Sequence, residues 1–126
     1  MRSIFAALLL LAPAACAFFE PAQPQYLVYF TERSAELDTA ARGVVANAAR
    51  QAQQHPAAKV DVVGYTDSAG SPQADVVLSQ RRAEVVAEAL AADGVATSRL
   101  VRLGRGQTGA DPGLASRRVE IWIEGL

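Results

Sequence analysis

The segment from Lys59 to Gly104 constrains the fold most. It opens with "KVDVVGY", a branched apolar run in which Val60, Val62 and Gly64 point to one side and Asp61, Val63 and Tyr65 to the other. It continues with "SPQADVVLSQRRAEVVAEALAADG", a helix with punctuated ends. Ser71 is a suitable N-cap, Pro72 fits the first turn, and Gly94 closes the helix. The expected buried stripe is Val76, Val77, Ala83, Val86, Ala87 and Leu90. "RLVRLG", Arg99 to Gly104, then reads as another strand. A strand, a helix and a strand in this order form a right-handed crossover, which makes the two strands parallel.

The flanking segments extend this unit. "YLVYF", Tyr26 to Phe30, reads as a buried first strand. A first helix is expected after Ser34 as N-cap, with Leu37, Ala41, Val44 or Val45, Ala48 and Ala52 at helical spacing. It stops before Pro56. "RRVEIWIE" alternates strictly, so Val119, Ile121 and Ile123 face a core while Arg118, Glu120, Trp122 and Glu124 face away. This last strand can return antiparallel. The expected fold is α+β: a two-layer βαβαββ sandwich with a mixed four-stranded sheet and two helices on one face.

The chain has 126 residues, which suits one domain. The amino-terminal stretch reads as a targeting segment. "MRS" gives a positive start, and Ile4 to Ala12 is an apolar run of signal-peptide length. Residues 1–16 are the expected signal peptide, with Cys16 after Ala14 and Ala15 as the lipidation site. Pro13 stands where such sites usually carry leucine, and cleavage after Ala14 or Ala17 is the competing reading. Residues 17–25, with two prolines, read as a short linker, and residues 26–126 as the domain.

Several classes of function are set aside. Acidic and basic residues nearly balance, at a formal net charge of −1, so no basic field exists to attract nucleic acid. His55 is the single histidine and Cys16 the single cysteine, so neither a metal cluster nor a catalytic triad is expected. "GRGQTG", Gly104 to Gly109, matches a dinucleotide fingerprint, but Pro112 and Gly113 oppose the helix that should follow. No cofactor is expected, and the chain does not read as an enzyme.

The candidate site lies past the carboxyl ends of the strands, where ligands of open sheets gather. Asp67 sits in the turn after the second strand. Thr31 to Ser34, Gly104 to Gly106 and Arg117 should reach the same end. On the second helix, Asp75, Ser79 and Arg82 form one polar stripe. Asp67 and Arg82 could hold a zwitterion, the carboxylate taking an ammonium and the guanidinium a carboxylate. They could equally form an internal salt bridge that pins loop to helix.

These residues also carry a resemblance. "VYFTERSAEL", "VVGYTDSAGS", "LSQRRAEVV", "GVATSRLVRLGRG" and "SRRVEIWIE" occur in the order seen in the OmpA-like C-terminal domain, the peptidoglycan-associating module of Pal lipoproteins and flagellar stator proteins. The resemblance covers about Tyr26 to Glu124. It implies non-catalytic binding of the meso-diaminopimelate of the peptidoglycan stem peptide. Asp67 and Arg82 match the positions that hold its zwitterionic end, and Thr66 and Arg117 match positions lining the same pocket. It also implies an outer-membrane lipoprotein on the periplasmic face, tethering the membrane or an envelope complex to the wall. The alternative is a structural or protein-interaction module of an envelope complex that does not grip peptidoglycan. The sequence departs from the family pattern at Asp75 and Ser116, where asparagine is usual, and in a shorter Gly104 to Ser116 loop. Asp75 is therefore expected to tune ligand affinity at little cost to stability.

Overall fold

The computed structural model describes residues 20–108 and 113–126. In chain order these form β1 (Tyr26–Tyr29), α1 (Thr39–Gln54), β2 (Val60–Thr66), α2 (Pro72–Ala92), β3 (Leu100–Gln107) and β4 (Arg118–Ile123). Single 3-10 turns, Thr97–Arg99 and Leu114–Ser116, lead into β3 and β4. The sheet order is β1-β4-β2-β3. β2 and β3 are parallel, and β4 runs antiparallel to both β1 and β2. This is the expected mixed four-stranded sheet.

The last strand enters between the first two because it is apolar enough to be buried there. Val119, Ile121 and Ile123 are at most 1% exposed and share one core with Val28, Val60 and Val62. Ala41, Val45, Ala48, Ala49 and Ala52 of α1 and Ala83, Val86, Ala87 and Leu90 of α2 complete that core. The many alanines let the helices lie close to the sheet. Gly64 permits the tightest approach: a Cβ there would stand 2.0 Å from the Ser79 carbonyl oxygen.

Both ends of α2 match their sequence signals. Ser71 caps it by accepting from the Ala74 N–H, and Gly94 follows with φ +105. The start of α1 differs from expectation. Ser34 is not its cap; the Ser34 hydroxyl accepts from the Glu36 N–H in a local turn. Asp38 caps the helix instead, accepting from Ala41 N–H at 2.7 Å. At its other end, Arg99 donates to the carbonyls of Ala52, His55 and Ala58, adding a side-chain donor to the end of the helix.

The buried stripe of α2 also differs. Val76 and Val77 are 38% and 64% exposed. The first half of the helix instead buries Asp75, Ser79 and Arg82. β3 is longer than expected and continues to Gln107. The Ser79 hydroxyl bonds to the Gly106 N–H at 2.8 Å, so a polar contact holds α2 against the end of β3.

Candidate functional site

The carboxyl ends of β1, β2 and β3, the start of β4 and the amino end of α2 meet at one edge of the domain. Every sequence-predicted site residue except Cys16 lies there; Cys16 falls outside the described residues.

Arg82 is fully buried. Its Nε donates to the Ser34 carbonyl at 2.8 Å, Nη1 to the Tyr65 carbonyl at 3.0 Å and Nη2 to the Thr31 carbonyl at 3.1 Å. Its guanidinium carbon lies 5.2 Å from the centroid of the Phe30 ring. Three of its five N–H groups are thus committed to backbone carbonyls, and two remain. Burial pushes its pKa down to about 10, with Asp67 opposing the shift and the charges of Arg33 and Arg117 adding to it. It remains cationic at neutral pH.

Asp67 does not form the internal salt bridge with Arg82 that spacing allowed. Its ion pair is with Arg117 Nη1, at 3.3 Å. Its only other hydrogen bond among the described residues is from the Ala69 N–H, also at 3.3 Å. Both contacts are long, and a carboxylate has about four lone-pair sites. Asp67 therefore keeps acceptor capacity at 6% exposure. The neighbouring Thr66 hydroxyl is buried and has no hydrogen-bond partner among the described residues. Arg117 is anchored by its own Nε, which donates to the Phe30 carbonyl at 3.0 Å.

Asp75 lies inside the site edge. It is fully buried. One oxygen accepts from Arg33 Nη1 at 2.5 Å. The other accepts from Gln107 Nε2 at 2.8 Å and from the Gly70 N–H at 3.3 Å. Burial alone would raise its pKa, but the hydrogen bonds from Gln107 and Arg33, the Arg33 charge and the Gly70 N–H together hold it below the usual aspartate value. Asp75 thus supports the local structure. Ser116 is also buried, its hydroxyl 2.8 Å from that of Thr108.

Sequence reasoning missed Arg33 and Gln107. Arg33 is the one cation of the Thr31–Ser34 loop, which was expected at this end, but nothing local names Asp75 as its partner. The Asp67–Arg82 edge is closely packed. A larger groove of about 610 Å³ lies beside it, lined by residues including Tyr29, Glu36, Asp38, Arg42, Val85 and Glu88, and contains neither Asp67 nor Arg82.

Comparison with known proteins identifies the architecture. Residues 29–118 match the model of the OmpA family. The chain is 42% identical over 89 residues to "Outer membrane porin F" of Pseudomonas fluorescens, covering 65% of this chain and 27% of that protein. It is 36% identical over 106 residues to "Probable lipoprotein YiaD" of Escherichia coli, covering 79% and 48% respectively. The chain thus spans less than half the length of these relatives. The crystal structure of the peptidoglycan-associated lipoprotein from Burkholderia pseudomallei superposes with a TM-score of 0.72 at 24% identity, over 79% of this chain and 91% of that one. That likeness is one of fold, and the family match extends over most of the domain: the chain belongs to the OmpA family.

Proposed function

We propose that this protein is a non-catalytic peptidoglycan-binding module that anchors the outer membrane, or an envelope complex, to the cell wall. Its ligand is the meso-diaminopimelate of the stem peptide. Asp67 takes the ammonium, and Arg82 takes the adjacent carboxylate with its two uncommitted N–H groups. Thr66 and Arg117 complete the contact. The observation that carries this reading is the unspent polar capacity at one corner: the Thr66 hydroxyl, without a partner among the described residues, beside the loosely held Asp67 carboxylate. Buried polar groups in folded proteins are nearly always satisfied, and an exception suggests a ligand. That the similarly folded Burkholderia pseudomallei protein is a peptidoglycan-associated lipoprotein supports the same reading.

In this reading Cys16 carries the lipid that holds the chain in the outer membrane, with the domain on the periplasmic side. The ten residues from Cys16 to Tyr26 reach about 35 Å at full extension. The domain would work close to the bilayer.

A second reading is an interaction module that keeps this fold without gripping the wall. The full burial of Arg82 favours it, because a ligand reaches that guanidinium only if the covering loop yields. Co-sedimentation with diaminopimelate-containing sacculi separates the two. The anchor reading expects wild-type protein to sediment and a folded Asp67→Ala protein to stay in solution. Wild-type protein left in the supernatant would overturn it in favour of the interaction module.

A further inference from the structure

Arg33 is the only non-glycine residue with positive φ among the described residues, at +53. Such a backbone is uncommon away from glycine and marks a position the surroundings hold in place. Here the holding groups are visible. The carbonyls of Thr31 and Ser34, on either side of Arg33, are both gripped by Arg82. The loop is thereby pinned on both sides of Arg33.

The side chain is fixed as well. Its Nη1 bonds to Asp75, whose other oxygen is occupied by Gln107 and Gly70 and so cannot turn away. A Cβ built on Gly70 would lie 2.9 Å from Arg33 Nη2, so the guanidinium rests against the turn that carries Asp67. Yet the Arg33 side chain is 40% exposed, whereas Asp75 is fully enclosed. One of its N–H groups is spent on Asp75, and the others are left over. At this edge the guanidiniums of Arg33, Arg82 and Arg117 stand among the carboxylates of Asp67 and Asp75, and the exposed Glu32 adjoins Arg33 in the same loop. A diaminopimelate zwitterion held at one end by Asp67 and Arg82 leaves these remaining Arg33 N–H groups unused.

Resting on the peptidoglycan-binding reading above, we propose that Arg33 is a specificity-determining residue that takes a second carboxylate of the stem peptide. The site would then favour stems whose neighbouring carboxylates are free over stems in which they are amidated. Asp75 is the positioning residue for Arg33: it holds the guanidinium at the rim and never meets the ligand. Two carboxylates of a diaminopimelate tripeptide could supply the charge, that of the isoglutamate and the one at the other end of the diaminopimelate. An arginine can bind either in bidentate fashion.

The test uses three synthetic tripeptides: one unmodified, one amidated at the isoglutamate and one amidated at that second diaminopimelate carboxylate. Affinities are measured by calorimetry for wild type, Arg33→Gln and Arg33→Lys, with thermal unfolding to check each fold. The expected wild-type result is a loss of about tenfold on one of the two amidations, the affected peptide naming the carboxylate, since a partly exposed charge-assisted bond is worth about that much. Arg33→Gln should bind all three peptides alike, and Arg33→Lys should restore part of the discrimination. Wild-type protein that binds all three peptides equally would overturn the role of Arg33 while leaving peptidoglycan binding intact. So would an Arg33→Gln protein that discriminates as wild type does. Failure of wild-type protein to bind any of the three would remove the peptidoglycan reading and the Arg33 assignment with it.

Discussion

The Arg82 Nε bonds to the Ser34 carbonyl at 2.8 Å across 48 residues of sequence. With its bonds to Thr31 and Tyr65, it ties the loop after β1 and the end of β2 to the second helix. One guanidinium thus supports three segments of the site edge. Any role it has toward a ligand is added to that structural one.

Arg82→Ala should therefore destabilise the domain, by about 3–5 kcal/mol, because it leaves three carbonyls without their donor and a large void beside Phe30. Asp67→Ala removes only two contacts of 3.3 Å and should cost about 1 kcal/mol. Urea unfolding of both variants measures the difference. Equal stabilities would mean that the loop after β1 does not depend on Arg82. Loss of wall binding on Arg82→Ala alone therefore says little about ligand contact, and Asp67→Ala is the cleaner probe.

Much of this fold is legible because its signals are local. Ser71, Pro72 and Gly94 mark the ends of α2, and the alternation of Val119, Ile121 and Ile123 marks the core face of β4. The start of α1 is ambiguous in the sequence because Ser34 and Asp38 are both good caps, and local chemistry does not choose between them. The grouping of Asp75, Ser79 and Arg82 on one face of α2 follows from helical spacing. That this face is the buried one does not, since charged residues seldom lie inside unless paired. The partners that permit it are carbonyls of Thr31, Ser34 and Tyr65 for Arg82, and Arg33, Gly70 and Gln107 for Asp75. Most are distant in sequence and are brought together only by the sheet.

Two glycines should respond oppositely to alanine. At Gly64 the added Cβ would stand 2.0 Å from the Ser79 carbonyl oxygen and 2.9 Å from its carbon, both backbone atoms that cannot rotate aside. Gly64→Ala should push α2 off the sheet and cost about 3 kcal/mol or more. At Gly43, inside α1, a Cβ meets nothing within 4 Å. Gly43→Ala should stabilise by about 0.5–1 kcal/mol through helix propensity. Differential scanning calorimetry of both variants checks the pair; a Gly64→Ala protein melting like wild type would contradict the packing described.

Asp75→Asn should weaken the domain at neutral pH and change its response to acid. Both oxygens of Asp75 accept from donors: Arg33 on one, Gln107 and Gly70 on the other. An amide turns one acceptor into a donor, which must then face either Arg33 or the Gln107 and Gly70 N–H groups. The cost should be about 1–3 kcal/mol. The pH dependence follows from the depressed pKa of Asp75. Its folded-state value lies below the unfolded value of about 3.9, so the ionised form contributes stability above that pH. That contribution is lost as pH falls through the folded-state pKa. Urea midpoints measured from pH 7 downward should show wild type losing its advantage over Asp75→Asn below about pH 4. A constant gap between the two proteins across that range would show that the charge on Asp75 does not stabilise the site edge.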